Sequence, residues 1–452
     1  MPSYRGDEII EEWKEAFEAS IFQQETFVHP ALSVVLSAKI RNYKIWFLGN
    51  YIDCRQHHFW FAPPGSAKGR SYDMIARLAK LCHLNMQPLT KPTDASLVGG
   101  IDENDQPIYG LLHRNSQVDI IGMEEANVLL KGDDYTRNAK TFMQQAMNPI
   151  GSYQNIIVKK LQRGPPIITE SQVTFLFMTY PLKQFYSSMY HDGFIQRQVA
   201  ITSFPDPELT DKVVEDIIDG LGDRTKTQPQ LNTVARSLND IIKELDQGRK
   251  ADDKCFEFSK DSKKALNKLN QRMIRASESL SLYERELLYN FRIRWFLNGI
   301  KYCAHHRALF AETTIQPADV AFAKEIMMPQ WLKLIRLIEN SQTRDAFTMD
   351  DAIYKMLPSF KREYTKIVNE EKEMWVSRPV LIKSVMDSTK KSRSTVNDAL
   401  KKIEMNIEMM TIRQIKQRIK TKRDVIFIRS DAKRPPRICL SSDYIKTTEG
   451  KT

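Results

Sequence analysis

The feature of this sequence whose chemistry is easiest to infer is a lysine that follows a turn of small residues. The apolar run Phe59-Trp60-Phe61 predicts the end of a buried strand, and residues 72–81 carry apolar side chains at helical spacing. Strand, small-residue loop, lysine and helix is the layout of a phosphate-binding loop. The residues of this loop that we expect to hold phosphate are Pro64, Gly65, Ser66, Ala67, Lys68, Gly69 and Arg70.

The loop departs from the usual pattern G-x-x-x-x-G-K-[ST] at three positions. Ala62 and Ala67 replace the two glycines, and Gly69 replaces the hydroxyl residue that binds Mg²⁺. Alanine beside the lysine still leaves room for phosphates, whereas Gly69 removes a metal ligand. The metal would then depend on waters and a distant carboxylate. The alternative is an ordinary strand–turn–helix, so the interpretation requires a second strand that carries acids.

Such a strand is predicted by the near-continuous apolar run at residues 117–123, which ends in Glu124 and Glu125. A buried parallel strand ends in this way at an active edge of a sheet. In a nucleoside triphosphatase the first acid organises Mg²⁺ and the second polarises the attacking water, so we assign Glu124 and Glu125 to these roles. The alternative is a solvated acidic start of a helix, which the helix dipole favours.

Three further candidates follow along the chain. Residues 155–161 and 167–169 predict a β-hairpin whose tip carries Lys159, Lys160 and Arg163, either as a solvated basic turn or as a finger that grips nucleic acid. A third buried strand is predicted within residues 173–181. Near its end lies the hydroxyl residue Thr179, which could sense a γ-phosphate. Gly193 then breaks a helix before Arg197 and another strand.

Composition limits the function classes. The 452 residues have a net charge of +11, and fifteen basic residues against five acids lie between Lys390 and Arg437. This charge favours a polyanionic partner at the C-terminal end of the chain. Five scattered cysteines without a C-x-x-C motif argue against a disulfide framework or zinc ribbon and predict a reducing, cytoplasmic location. The sequence has no apolar run of about 20 residues, so we expect no membrane span.

The expected organisation has four parts: N-terminal helices over residues 1–45, an α/β core over 46–205, a helical region over 206–345 and a separate unit over 346–452. The adjacent histidines His57 and His58 point to opposite sides of a strand, which disfavours a metal site and predicts core or solvated side chains. His305 and His306 are expected to form a surface pair.

The last unit has the pattern of a helix-turn-helix followed by a wing. A helix over residues 380–386 precedes a polar turn and a helix that Ser392 or Ser394 would cap, with Val396, Leu400 and Ile403 facing the core. A strand over residues 424–429 suggests the wing. The side chains expected to face a DNA groove are Lys391, Arg393, Ser394, Thr395 and Asn397. Such domains also bind proteins, but the local charge favours DNA.

Taken in order, these motifs resemble the core of a AAA+ ATPase, and most of all that of the minichromosome maintenance helicases and the viral and phage primase-helicase-type ATPases. Ser66-Ala67-Lys68 is similar to the Thr-Ala-Lys of their loops, Thr179 matches the sensor position, and Arg197 matches an arginine finger that acts on a neighbouring subunit. The resemblance covers residues 30–205 and, more weakly, 280–330.

The resemblance implies a P-loop AAA+ core with a parallel sheet flanked by helices, a helical lid and a C-terminal winged helix-turn-helix. It also implies ATP, Mg²⁺, a hexameric homo-oligomeric ring, single-stranded DNA in the pore and duplex DNA at the winged helix. The expected activity is an ATP-driven helicase or translocase in DNA replication. Two alternatives stay open: an ATP-dependent initiator that does not translocate, and a non-hydrolysing DNA-binding scaffold.

Overall fold

The computed structural model describes most of the chain in segments that fall into two compact units. The described residues are 5–21, 25–47, 49–63, 66, 68–104, 106–130, 134–161, 165–180, 193–203, 218, 227–250, 253–278, 280, 282–340, 376–389, 392–398, 400, 426–431 and 434–440. The first unit comprises residues 1–182, 189–277 and 289–336, and the second comprises 183–188, 278–288 and 337–452.

Sixteen strands are described, thirteen of them in the first unit. They are β1 (Lys44–Phe47), β2 (Asn50–Asp53), β3 (His57–Phe61), β4 (Met86–Pro88), β5 (Gly99–Ile101), β6 (Pro107–Tyr109), β7 (Ile120–Met123), β8 (Ile156–Lys159), β9 (Ile167–Glu170), β10 (Thr174–Thr179), β11 (Gln198–Thr202), β12 (Cys255–Phe258), β13 (Thr314–Ile315), β14 (Val376–Ser377), β15 (Ile426–Asp431) and β16 (Arg434–Leu440).

The labelled α-helices of the described ranges are α1 (Arg5–Ile21), α2 (Glu25–Lys39), α3 (Lys68–Leu81), α4 (Asp94–Leu97), α5 (Asp134–Ala146), α6 (Thr227–Asp246), α7 (Lys260–Ala276), α8 (Leu282–Ala308), α9 (Pro317–Asn340) and α10 (Arg378–Thr389). The start of α4 is a capped turn, because Thr93 and Ser96 form a reciprocal capping box.

The main sheet of the first unit has five parallel strands in the order β11-β3-β10-β7-β4. The predicted strands before the loop, before the two acids and before Thr179 are therefore all present. Every residue of β3, β7, β10 and β11 is buried. This continuous burial is expected of a parallel sheet that helices cover, and the chain is mixed α/β as predicted.

Aromatic side chains fill the core on either side of β3. Phe27 of α2 stacks on Trp60 with ring centroids 4.8 Å apart. The rings of Phe59 and Phe61 stack at 4.7 Å, and Phe59 also contacts Phe177 at 5.7 Å. Neighbouring residues of a strand point to opposite sheet faces, so the run Phe59-Trp60-Phe61 supplies both faces at once.

A smaller sheet in the same unit corrects the prediction that residues 206–345 are all helical. Its strand order is β13-β12-β1-β2, in which β1 pairs in parallel with β12, and β12 in parallel with β13. β12 and β13 have only four and two residues, so they carry little periodic signal. Through the pairing of β12 with β1, the region that follows the α/β core lies beside the segment with which that core begins.

A buried arginine ties the amino edge of the main sheet to the segment before β10. The Arg55 side chain is fully buried and bonds the Asp53 carboxylate at 2.9 Å. It also donates to four backbone carbonyls, those of Ala146, Asn148, Ser171 and Val173. Burial alone would raise the pKa of Asp53, but Arg55 and Lys301 outweigh it and lower the pKa.

His305 and His306 are both buried, at 1% and 7% exposure, so the predicted surface pair is wrong. His305 Nε2 donates to the Cys54 carbonyl at 2.7 Å, and His306 Nδ1 lies 2.5 Å from the Asp319 carboxylate. These contacts join α8 to the core and to α9. His57 and His58 are core residues, at 2% and 0% exposure. Of the two expectations for this pair, core or solvated side chains, the first is confirmed.

The second unit contains two helical segments followed by a β-hairpin. α10 precedes the helical residues 393–398, and β15 pairs antiparallel with β16, to which the short strand β14 adds. Ser392 caps the second helical segment, since its Oγ accepts from the Thr395 N–H at 3.3 Å. Val396 and Leu400 are fully buried, as predicted, while Ile403 lies outside the described residues.

Candidate functional site

The loop before Lys68 lies where the strand order of the main sheet reverses. From β3 the chain passes to the far edge at β4 and returns through β7 to β10, and from β10 it crosses β3 to reach β11. Open parallel sheets bind ligands in the crevice outside the carboxyl ends of the strands at such a switch point. β3 and β10 flank this crevice, and Phe61 is level with Thr179.

Lys68 is the first residue of α3 and is held over the aromatic ring of Tyr180. Its Nζ lies 3.9 Å from the ring centroid. Partial burial lowers the pKa of Lys68, and the carboxylates of Glu124 and Glu125 offset part of that effect. Both carboxylates are therefore near enough to Lys68 for their charge to act on its pKa, although no hydrogen bond within the described residues joins them.

Glu124 approaches the N-terminus of α3 where Gly69 leaves room for it. A Cβ built at Gly69 would lie 3.2 Å from Glu124 Oε1, closer than most contacts of real Cβ atoms. The helix dipole favours a carboxylate at this end of the helix. The Glu124 carboxylate therefore lies beside the position where a side chain at residue 69 would begin. The glycine that replaces the usual hydroxyl residue and the first acid after β7 thus affect the same part of the site. Both Glu124 and Glu125 are exposed.

The loop itself is described at only some of its positions. Ser66 is 6% exposed, and its Oγ has no hydrogen-bond partner among the described residues. A buried hydroxyl without a partner is costly, so a ligand atom that accepts or donates there would be favoured. The expected phosphate-binding residues Pro64, Gly65 and Ala67 lie outside the described residues. Arg70 is exposed on the first turn of α3.

Thr179 ends β10 at the same edge, buried to 2% exposure. Its carbonyl accepts from the Ala62 N–H at 3.0 Å, which holds the strand end against the start of the loop. Lys68, Glu124, Glu125 and Thr179 are therefore brought to one edge of one sheet by three neighbouring strands. This convergence is what the order of the motifs along the chain predicts.

Arg197 lies at the amino end of the parallel strands, whereas the other candidate residues lie at the carboxyl end. It immediately precedes β11, whose first residue Gln198 is level with His57 at the start of β3, whereas Lys68 follows the end of β3. Its Nη1 donates to the Gly193 carbonyl at 2.7 Å. Gly193 has φ +70, so a larger residue there would be strained and would also meet the guanidinium. Within one chain Arg197 and Lys68 are therefore separated by the length of β3.

The predicted basic hairpin is present as β8 and β9, with Lys159 paired to Ile167. Lys159 Nζ donates to the Gly99 carbonyl of a second hairpin, β5–β6, at 2.7 Å, and Lys160 is exposed. Arg163 lies outside the described residues. The second hairpin was not predicted, because its strands have three residues each and its pairing depends on Gly99 at φ +116.

In the second unit, Arg393, Ser394 and Thr395 are exposed on the helical segment 393–398, and Asn397 is half-buried. These residues share the surface of one short helix, as predicted. Lys391 lies outside the described residues.

Two residues at the candidate site were missed by sequence reasoning. Tyr180, which directly follows Thr179, supplies the ring beneath Lys68, and its position at a strand end was the available signal. Tyr72 of α3 packs on Gly122, where a Cβ would come within 2.4 Å of its ring. Burial, with the negative charges of Glu124 and Asp73, raises the pKa of Tyr72 to about 12, so this phenol stays protonated beside the acids.

Neither metal clusters nor membrane helices are found where the structure describes the chain. Within the described ranges, no group of three or more His, Cys, Asp or Glu side chains could hold a metal ion by itself. In the same ranges, no helix is both long and apolar enough to cross a membrane. A metal at the switch point would therefore need oxygen atoms from its ligand and from water beside Glu124.

No protein-family model matches the chain, and no curated protein matches its sequence. The functional argument therefore depends on the geometry of the site.

Proposed function

We propose that this protein is a AAA+ type nucleoside triphosphatase that uses ATP and Mg²⁺ to move DNA, as a ring-forming helicase or translocase. The observation that carries the proposal is the convergence of Lys68, Glu124, Glu125 and Thr179 at the carboxyl edge of the sheet, at its switch point. A lysine at a helix N-terminus facing two acids across such a crevice suits a nucleoside triphosphate.

Each residue has a role that follows from its place. Lys68 and the first N–H groups of α3 bind the outer phosphates, and the unpartnered Ser66 hydroxyl offers one more hydrogen bond. Glu124 would hold Mg²⁺, which would supply positive charge to the phosphate oxygens. Glu125 is exposed and can accept a proton from the attacking water, while Thr179 contacts the γ-phosphate from β10.

The placement of Arg197 supports catalysis between subunits. An arginine at the amino edge of the sheet cannot reach the phosphates bound by its own chain, but it could reach those of a neighbouring copy. A positive charge supplied in this way stabilises the transition state of phosphoryl transfer. We therefore propose a homo-oligomeric ring in which hydrolysis requires assembly.

DNA contacts are proposed at two places. Lys160 and Arg163 of the β8–β9 hairpin would follow a single strand in the pore of the ring, whereas Lys159 is held by the Gly99 carbonyl. In the second unit, the helix pair and the hairpin β15–β16 have the element order of a winged helix, and Arg393, Ser394, Thr395 and Asn397 would face duplex DNA.

The deciding test is steady-state ATP hydrolysis, with and without single-stranded DNA, for the parent chain, for Glu125→Gln and for the control Glu103→Gln at an exposed site away from the sheet edge. We expect DNA-stimulated hydrolysis that Glu125→Gln lowers by roughly 100-fold or more and Glu103→Gln leaves unchanged. Lys68→Ala should abolish nucleotide binding.

The absence of turnover in the parent, at concentrations where it assembles, would exclude the motor. ATP binding without turnover would then support the initiator. If neither binding nor turnover is seen, the non-hydrolysing DNA-binding scaffold is supported, as the missing hydroxyl at Gly69 would suggest.

A further inference from the structure

Exposed aromatic residues on the small sheet lie beside a strongly basic helix. Trp46 and Phe47 at the end of β1 are 62% and 42% exposed, although most large apolar side chains in this unit are buried. They line an apolar cleft of about 200 Å³ together with Phe258, Lys263, Leu266 and Ile300. We call Trp46, Phe47 and the exposed cations of α7 the Trp46 surface.

Helix α7 provides the charge of this surface. Its seventeen residues include one acid, Asp261, and six basic residues, all of them exposed: Lys260, Lys263, Lys264, Lys268, Arg272 and Arg275. The opposite side of the helix is buried through Leu266, Leu269 and Met273. Lys264 pairs with Asp261 at 2.9 Å, but both side chains are largely exposed, so the pair is weak and leaves the helix strongly positive.

The spacing of these cations forms a row along the helix. Lys260, Lys264, Lys268 and Arg272 follow one another at intervals of four residues and therefore share one ridge. The ridge is about 18 Å long at 1.5 Å per residue. Lys263 lines the aromatic cleft and lies three residues after Lys260, the first cation of the row, so the charge reaches the two rings at the N-terminal end of α7.

We propose that the Trp46 surface binds single-stranded nucleic acid, with bases stacking on Trp46 and Phe47 and phosphates facing the cations of α7. Exposed rings beside a positive track are the combination that binds single strands without reading sequence. The cleft is smaller than the roughly 300–1,000 Å³ of drug-sized pockets, so it suits one ring rather than a whole small molecule.

This inference does not depend on ATP hydrolysis, and it concerns neither the β8–β9 hairpin nor the second unit. An acidic lipid surface is the competing occupant, because basic helices beside exposed aromatic residues also bind membranes. A row of cations that begins at a one-ring cleft favours a strand, which presents charge and rings in alternation.

The experiment uses the intrinsic fluorescence of the full chain. Of the five tryptophans in the described ranges, Trp46 is the exposed one, whereas Trp13, Trp60, Trp295 and Trp331 are at most 2% exposed. Titration with a 20-nucleotide oligothymidylate or oligouridylate should quench Trp46, and Trp46→Phe should remove that quench. Comparing the two strands shows the combined effect of the sugar and of the thymine methyl group. Anionic phosphatidylserine vesicles are the third titrant.

Affinity is measured separately, by anisotropy of a labelled oligothymidylate. We expect Trp46→Ala with Phe47→Ala to weaken binding about tenfold or more. Lys264→Glu with Lys268→Glu should weaken binding and reduce the slope of log K against log[salt] by about 1.4, at about 0.7 for each phosphate contact. The matched control is Arg236→Glu with Lys243→Glu, at exposed positions of α6, which should change neither quantity.

Three results would overturn the inference: no quenching by either strand, equal weakening by the α7 and α6 variants, or quenching by vesicles alone. A chain that fails to hydrolyse ATP but shows Trp46-dependent strand binding would keep this inference and refute the proposed motor. A chain that hydrolyses ATP but whose Trp46 is unaffected by strands would do the opposite.

Discussion

Gly69 is the residue at which the candidate site differs most from a standard phosphate-binding loop. The residue after the lysine usually supplies a hydroxyl to Mg²⁺. In this chain the space beside it holds the Glu124 carboxylate, with Oε1 at 3.2 Å from where a Cβ would lie. The carboxylate tip is flexible, so a small side chain at residue 69 would displace it by only a few tenths of an ångström.

Gly69→Ser should therefore fold and restore a metal ligand. We expect the Mg²⁺ concentration for half-maximal ATP hydrolysis to fall roughly five- to tenfold, the effect of about 1–1.4 kcal/mol of added metal binding. The control is Gly69→Ala, which adds the same Cβ without an oxygen and should leave the Mg²⁺ requirement unchanged. Equal Mg²⁺ requirements in both variants would show that residue 69 does not face the metal.

At the scale of elements, the β8–β9 hairpin carries two adjacent lysines in different settings: one is hydrogen-bonded within the fold and the other is exposed. Lys159 Nζ donates to the Gly99 carbonyl and so holds two hairpins together, whereas its neighbour Lys160 is exposed. Arg55 fixes the base of the same hairpin by donating to the carbonyls of Ser171 and Val173. The hairpin is thus anchored at its base and at its side.

Lys159→Ala should lower the free energy of unfolding by about 1.5–3 kcal/mol, because it removes a charged hydrogen bond to a carbonyl. Lys160→Ala should change stability by less than about 0.5 kcal/mol. It should nevertheless weaken stimulation of hydrolysis by single-stranded DNA and reduce the salt slope of binding by about 0.7. Urea denaturation measures the change in stability, and DNA titration measures the change in binding. A loss of stability in Lys160→Ala together with a loss of DNA binding in Lys159→Ala would contradict these roles.

At the scale of the whole molecule, buried histidines make the first unit sensitive to acid. Burial is the main cause that lowers the pKa of His29 to about 4, of His58 to about 3 and of His305 to about 4. These pKa values lie below the value of about 6.5 for an unfolded chain. The neutral forms are therefore favoured in the folded protein, and their contribution to stability is complete above pH 6.5 and lost as the pH falls towards 4.

Burial also lowers the pKa of His57, so four histidines act in the same direction. We expect the free energy of unfolding to fall by roughly 4–5 kcal/mol between pH 6 and pH 5, at up to about 1.4 kcal/mol per pH unit for each of the four histidines. Urea denaturation at several pH values measures the slope. His305→Gln should reduce that slope by about one quarter, whatever its effect on stability at pH 7. A free energy that stays constant from pH 7 to pH 5 would show that these side chains are not buried in their neutral forms.

The sequence by itself determined four of the five strands of the main sheet, all but β4, and the order of its candidate residues. Uninterrupted apolar runs such as Phe59-Trp60-Phe61 and residues 174–178 are local signals, and the polar residues that follow them mark strand ends. Because parallel strands share a carboxyl edge, these signals place Lys68, Glu124 and Thr179 at one edge of the sheet once the strands pair in parallel, as β3, β10 and β7 do.

Only the tertiary structure decided the rest, because it depends on contacts between residues distant in the chain. The short strands β12 and β13 exist through pairing with β1. The burial of His305 and His306 follows from packing of α8 on the core and on α9. The fit of Gly69 against Glu124 and the meeting of Trp46 with α7 likewise have no signature in local sequence.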